Sequence, residues 1–403
     1  MPRTSAAPVS TAKFPDIDEA RAIKLILAML PIPGLSGKES AISEFVVAQL
    51  RKAGVPASAI TTDRAHTRSP IGGEQGNLIC TLPGTIPGER RLLMSHLDTV
   101  PLCAGTRPVR ENGFVRSGNP QTALGADNRS GVAATLNALL EIVRRKLPHP
   151  PLTVMWTVQE EVGLFGSRNC DVKLLKSPKL CFNWDGGAAE KISHGATGAY
   201  RMQIEITGLS SHAGVHPEDG ISAISIAALA IADLTKNGWH GLVKKGSRKG
   251  TSNVGVISGG DATNVVTSRV TLRAEARSHD PVFRKKIVAE IKAAFTRAVA
   301  QVKNAAGKRG SFKFDIRLDY ESFCLSDKDP SLLAATRVLK ALGLNPRAEV
   351  ANGGLDANWL TANGIPTITM GAGQQNAHTL NERLEIKEYL NGCRVALALA
   401  TGA

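Results

Sequence analysis

The segment "RLLMSHLDTV", residues 91–100, is an apolar run interrupted by Ser95, His96 and Asp98. Side chains on a strand alternate between its two faces, so His96 and Asp98 share one face while Leu97 points away. Burying an imidazole and a carboxylate without partners costs several kcal/mol, so the pair requires a reason to be there. Similar apolar segments of strand length surround it: "NLICTLPG" from 77, "LTVMWTVQEE" from 152 and "KLCFNWDGG" from 179. Between the second and third strands lies "SGVAATLNALLEIVRRK", whose apolar residues recur at helical spacing and whose last turn is basic. Residues 17–55 also read as helical, with "DEARAIKLILAMLPIPG" stopped by Pro31 and Pro33 and "KESAISEFVVAQLRKAG" stopped by Gly54. Strands alternating with helices predict an α/β layer structure, with a mixed, mostly parallel central sheet flanked by helices.

The texture changes near residue 198. "AYRMQIEITG" alternates with period two, as a strand with one wet face does. An amphipathic helix, "GISAISIAALAIADLTKNG", follows it. Next come strands at "TSNVGVISGG" and "SRVTLRAEARS", a second helix at "DPVFRKKIVAEIKAAFTRAVAQVKNAAG" and a fourth strand at "SFKFDIRLDYESF". That order is the split βαβ of a ferredoxin-like α+β domain. The predicted organisation is therefore an α/β domain in two parts, 1–197 and 326–403, with the ferredoxin-like domain inserted at 198–325.

The bulk properties agree with a globular protein of two or three domains: 403 residues, 42% hydrophobic and 21% charged. No stretch approaches the about 18 to 20 apolar residues that a membrane span needs. "MPRTSAAPVSTAKF" lacks the apolar region of a secretory signal, and a cytoplasmic location is expected. The six cysteines (Cys80, Cys103, Cys170, Cys181, Cys324 and Cys393) form no paired spacing, so free thiols are expected, several of them core fillers. The net charge of +14 favours anionic partners in general. Its densest cluster, "KKGSRKG" at 244–250, has no interleaved aromatics and reads as a solvated loop, so neither a nucleic acid nor a membrane is an expected partner.

Polar residues recur at the predicted strand ends. "LGADNRSG" places Asp127 just before a helix, "TVQEEVG" places Glu160 and Glu161 after the third strand, and "FNWDGG" places Asp185 after the fourth. "NAHTLNE" places His378 after another apolar strand, "IPTITMGAG". Each has an ordinary explanation alone: HxD as a satisfied buried pair, Asp127 as a helix N-cap, adjacent glutamates as solvated surface. Together they lie where open α/β sheets build their sites. Two histidines with three or four carboxylates suit a pair of divalent transition metals, and a carboxylate can bridge two ions. One of Glu160 and Glu161 could ligate while the other takes a proton as general base.

With "SHLDTV", "LGADNRSG", "TVQEEVGLFGS", "FNWDGG", "SHAGVHPEDGISAI", "GGLDANWL" and "AHTLNE" in order along nearly the whole chain, the sequence resembles the M20 family of dinuclear-zinc peptidases and deacylases. It is most similar to the peptidase T-like (tripeptide aminopeptidase) branch. The resemblance implies two Zn²⁺ per chain, with Co²⁺ or Mn²⁺ as substitutes. One metal would be held by His96, Asp127 and Asp185, the other by Asp127, Glu161 and His378. It implies that Glu160 is the general base and that Asp98 orients His96, the usual job of a carboxylate behind a metal imidazole. It further implies a cis bond between Asp127 and Asn128. The inserted domain would serve as a lid and homodimerisation module. From that domain His212 would stabilise the oxyanion in a facing site, and Asn264 and Arg277 would contact the substrate.

Several positions depart from the family pattern. Asn128 and Arg129 replace a more usual acid and lysine, Leu355 stands where a small hydroxyl residue is common, and Asn352 stands where peptidase T has arginine. None is an implied ligand. The expected activity is aminopeptidase cleavage of short peptides. A deacylase or carboxypeptidase-like hydrolase of N-acyl amino acids is the alternative, and aspartate at 185 favours the peptidase. A non-catalytic protein on the same fold would have lost a ligand or the base, and none is missing.

Overall fold

The computed structural model describes residues 14–402. Residues 1–13, which carry most of the stretch read as lacking a signal segment, lie outside the described residues. The chain divides into two compact units: residues up to Gly195 with Cys324–Ala351 and Leu355–Ala403, and Ala196–Phe323 with Asn352–Gly354. The second unit thus begins two residues before the position read from the sequence and also takes in a short piece of the later chain.

The first unit is built on a nine-stranded sheet. Its centre is parallel: Arg91–His96 pairs in parallel with Leu152–Thr157 on one side and with Leu180–Trp184 on the other, and Ile368–Met370 extends the run. Antiparallel strands flank that centre, Leu78–Leu82 beside Leu152–Thr157 and Lys191–Ala196 beside Ile368–Met370. Neighbouring residues on the central strands belong to different cores: Leu93, Val154 and Phe182 to one, Leu92, Met155 and Cys181 to the other. A sheet covered on both faces needs unbroken apolar strands, which is why these segments do not alternate with polar residues. Helices Glu19–Met29, Ser40–Ala53, Ala126–Arg145 and Ile386–Thr401 bury Ala22, Ile42, Val132 and Val395 in the first core, and Leu360 of helix Asp356–Ala362 enters the second.

Helix Ala126–Arg145 lies close to the sheet at its first turn. A Cβ on Gly131 would stand 2.2 Å from the carbonyl oxygen of Trp184 and 2.3 Å from Asn128 Oδ1. The missing side chain therefore lets the start of this helix sit against the strand end that carries Asp185. Gly131→Ala is expected to destabilise the fold by at least about 1 to 3 kcal/mol, the usual cost of overfilling a packed site, as read from the denaturation midpoint.

A small four-stranded sheet joins Pro108–Glu111 and Phe114–Ser117 to Gln374–Gln375 and Arg383–Glu385. These strands are too short to show periodicity in the sequence. They fix both ends of the loop that carries His378.

The second unit has a five-stranded antiparallel sheet with helices Ala223–Lys236 and Pro281–Gln301. Met202, Ile204, Ile206, Val270 and Leu272 face those helices, while Arg201, Gln203, Arg269 and Arg273 take the opposite, exposed side. The sheet has one strand more than the sequence reading. "KKGSRKG", expected as a solvated loop, is the tip of a hairpin between Gly241–Lys245 and Arg248–Gly259. Val243 is buried there between exposed neighbours, and Gly246 takes the positive φ of 62° that the turn requires. The basic residues are solvated as expected, but on strands.

All six cysteines are free, and five of them are buried. No helix among the described residues is long and apolar enough to cross a membrane.

Candidate metal centre

His96 ends the central strand Arg91–His96, Glu160 and Glu161 follow Leu152–Thr157, and Asp185 follows Leu180–Trp184. Asp127 and Asn128 depart from helical geometry at the start of Ala126–Arg145, and the bond between them is cis. His378 holds a positive φ of 63° in the loop fixed by the small sheet.

The structure brings these side chains together. His96 Nε2 lies 3.2 Å from Asp127 Oδ1 and 3.9 Å from Asp185 Oδ1. On the other side of Asp127, Oδ2 is 3.4 Å from His378 Nε2, which is also 2.9 Å from Glu161 Oε2. Two candidate ligand groups result, His96–Asp127–Asp185 and Asp127–Glu161–His378, sharing Asp127 through its two different oxygens. Glu160 also lies within ligating reach of His96 and Glu161.

Behind the ligands, Asp98 is fully buried. His96 Nδ1 meets the Asp98 backbone carbonyl at 3.1 Å and its carboxylate Oδ1 at 3.4 Å, so the ring is held from behind and Nε2 faces the cluster. The same carboxylate accepts the Ser36 hydroxyl at 2.6 Å and the backbone N–H groups of Glu160 and Glu161 at 3.0 and 3.1 Å. One aspartate thus orients a histidine and anchors the Glu160–Glu161 pair, a wider role than the sequence suggests.

The electrostatics show acidic groups crowded in a largely buried place. Burial pushes the Glu160 and Glu161 carboxyls up and raises Asp185 to about 7, with neighbouring carboxylates adding to the effect. Asp127 moves the other way: its bonds to His378 and His96 outweigh burial and hold it well below the usual range. Hydrogen bonding to Asp127 and Glu161 raises His378 to about 10. Burial would lower His96, but Glu160, Asp127 and Asp98 outweigh it and raise it.

The residues fit a pair of divalent cations. Imidazole nitrogens and carboxylate oxygens are the donors that zinc and its neighbours take. Asp127 Oδ1 is buried and faces the ligating nitrogen of His96, 3.2 Å away, where a cation between the two would sit.

Other residues of the site carried no assignment in the sequence reading. Glu382, buried within "AHTLNE", accepts the backbone N–H groups of Gly125 at 2.7 Å and Asp127 at 2.9 Å, one on each carboxylate oxygen. Glu39, also buried, accepts Gly37 N–H and the N–H of Gln159, just before Glu160. Gln374 donates to Asp185 Oδ1 at 3.3 Å, and buried Asp356 takes the Thr157 hydroxyl. The departures at 128 and 129 are structural. Asn128 donates to the Trp184 carbonyl at 2.7 Å, and buried Arg129 donates to the carbonyls of Leu97 and Ile32.

His212, Asn264 and Arg277 belong to the second unit. His212 and Asn264 are neighbours: Ala213 N–H donates to the Asn264 carbonyl at 2.9 Å, and His212 Nδ1 accepts Gly214 N–H at 3.2 Å. Arg277 lies on strand Arg269–Ser278 and binds Glu275 through Nε and Nη2 at 3.0 and 3.1 Å. Asn352, in the same unit, bonds His279 at 3.1 Å.

Against known proteins, the model of peptidase family M20/M25/M40 matches residues 92–402. The chain belongs to this family. It is 31% identical over 384 residues to the uncharacterized protein YqjE of Bacillus subtilis (strain 168), covering 95% of this chain and 98% of that one. A crystal structure of a tripeptidase from Staphylococcus aureus subsp. aureus Mu50 superposes with a TM-score of 0.85 at 30% identity, covering 96% of this chain and 99% of that one. Aminopeptidase PepT from Bacillus cereus ATCC 10987 gives 0.82 at 29% identity, with 96% and 98% covered.

Proposed function

We propose that this M20 protein is a dinuclear, metal-dependent aminopeptidase of short peptides. The observation that carries the reading is Asp127 standing between two histidine–carboxylate groups, with Glu160 beside them. The two ions, when bound, would polarise the scissile carbonyl and acidify a water. His96, Asp127 and Asp185 would hold one, and Asp127, Glu161 and His378 the other. Zinc suits this donor set, with cobalt or manganese as substitutes.

Glu160 is the base. It takes a proton from the attacking water and returns it to the leaving amine, and the partial burial that pushes its carboxyl up favours both transfers. Asp98 keeps His96 and the Glu160 backbone aligned while this happens. His212 and Asn264 would meet the substrate from the second unit, His212 stabilising the oxyanion in the site of a second copy, with Arg277 as a further contact. That role makes a homodimer through the second unit part of the proposal. The free thiols suit a cytoplasmic enzyme.

The direct test is hydrolysis of a free and an N-acetylated tripeptide, together with metal analysis. Near two metals per chain with only the free peptide cut is the expected result. Cleavage of the acetylated substrate alone would make the protein a deacylase, and equal cleavage of both would overturn the aminopeptidase assignment.

Metal uptake should also release protons. In the metal-free chain the carboxylates raise His378 to about 10, so it is protonated at pH 8, whereas a ligating imidazole must be neutral. Adding zinc to chelator-treated protein in weak buffer at pH 8 is therefore expected to acidify the solution by at least one proton per chain. An unchanged pH would show that no proton leaves the centre when metal binds, and would overturn a His378 held protonated by its carboxylate neighbours.

A further inference from the structure

Within the first unit, helices Glu19–Met29, Ser40–Ala53 and Ala126–Arg145 enclose a cleft of about 480 Å³, within the range of small-molecule sites. Arg21, Lys24, Lys52 and Arg144 line it, and no acidic side chain does. Arg21 pairs with Asp18 at 2.9 Å, while the other three form no ion pair among the described residues. Gathering cations in one concave place raises the local potential, which only an anion relieves. A second observation points the same way. Asn137 lines the cleft at 2% exposure, and its Nδ2 has no hydrogen-bond partner. A buried donor without an acceptor is costly, so a ligand oxygen there would be stabilising. Phe45 gives the cleft an apolar wall.

We propose that this cleft binds a small organic phosphate, its phosphate among Lys24, Lys52 and Arg144, an oxygen on Asn137 Nδ2 and an apolar body against Phe45. Three unpaired cations match more than one negative charge. A phosphate monoester carries about 1.5 to 2 near neutral pH, where a carboxylate carries one.

Calorimetric titration of the metal-loaded protein with phenyl phosphate at low ionic strength tests this. One site per chain with a Kd below about 1 mM is expected. Binding should weaken about tenfold or more in the triple variant K24Q/K52Q/R144Q, whose Tm and peptide hydrolysis should not change. It should also weaken on raising the salt. Inorganic phosphate and phenol, titrated separately, should each bind at least about tenfold more weakly than phenyl phosphate. Undiminished binding by the triple variant would place the phosphate elsewhere, the metal centre included, and overturn the site. Inorganic phosphate binding as tightly as phenyl phosphate would overturn the organic ligand. No saturation by about 10 mM phenyl phosphate would overturn both.

Discussion

Glu160→Gln is expected to lower kcat for tripeptide hydrolysis by about 10³-fold, the middle of the range for losing a positioned general base. Metal content should stay near two per chain, because Glu160 belongs to neither of the two groups that share Asp127. Glutamine keeps the shape of the side chain, so the Glu160 N–H bond to Asp98 and the packing around it should survive. KM should change little, since the residue acts on a proton in the transition state rather than on ground-state binding. Glu160 also lies in a possible ligand group with His96 and Glu161, so the metal analysis separates the two roles. A variant that loses one ion would make Glu160 a ligand. A variant that keeps both ions and its rate would mean that another group is the base.

How much of this could be read from the sequence depended on the kind of signal. His96, Asp127, Glu160, Glu161 and Asp185 were legible because they stand next to apolar strands or a helix start, where a charge has no ordinary reason to be. His378 was legible through the motif around it. The central strands were legible because a sheet buried on both faces writes continuous apolar runs. Glu382, Glu39 and Asp356 carried no comparable mark. Each sits in a polar stretch, "HTLNE", "SGKES" or "GGLDA", where an acid looks like any solvated acid. Only the fold shows that all three are buried. The first strand of the hairpin, Gly241–Lys245, and its turn were missed for the opposite reason. Its charges drew attention to solvent, while the single inward residue Val243 was too little to show period two. The strands of the small sheet, two to four residues each, fall below the length at which periodicity carries information.

Glu382→Ala is expected to weaken binding of the metal shared by Asp127 and His378 by about 10- to 100-fold, the usual effect of losing a group that holds metal ligands in place. Glu382 follows His378 in one loop, and its two oxygens take the N–H groups of Gly125 and Asp127. It therefore ties the backbone carrying Asp127 to the loop carrying His378, two ligand segments far apart in the sequence. Alanine would leave two N–H groups without their acceptor, each costing about 1 to 3 kcal/mol if no water reaches it, so Tm should fall as well. A fall in Tm alone would also follow from a merely structural role. The deciding readout is metal affinity, measured by competition with a chelator under conditions where the variant is fully folded. Glu382→Gln keeps one oxygen as acceptor and presents an NH₂ to the other N–H, so it should fall between wild type and alanine in affinity. Adding excess metal should restore most of the activity of both variants, because Glu160 and the ligands themselves are intact. Unchanged metal affinity in Glu382→Ala would show that Asp127 is held by its own chain and its histidines. Lost affinity with rescue by metal would establish Glu382 as the positioning residue of the centre.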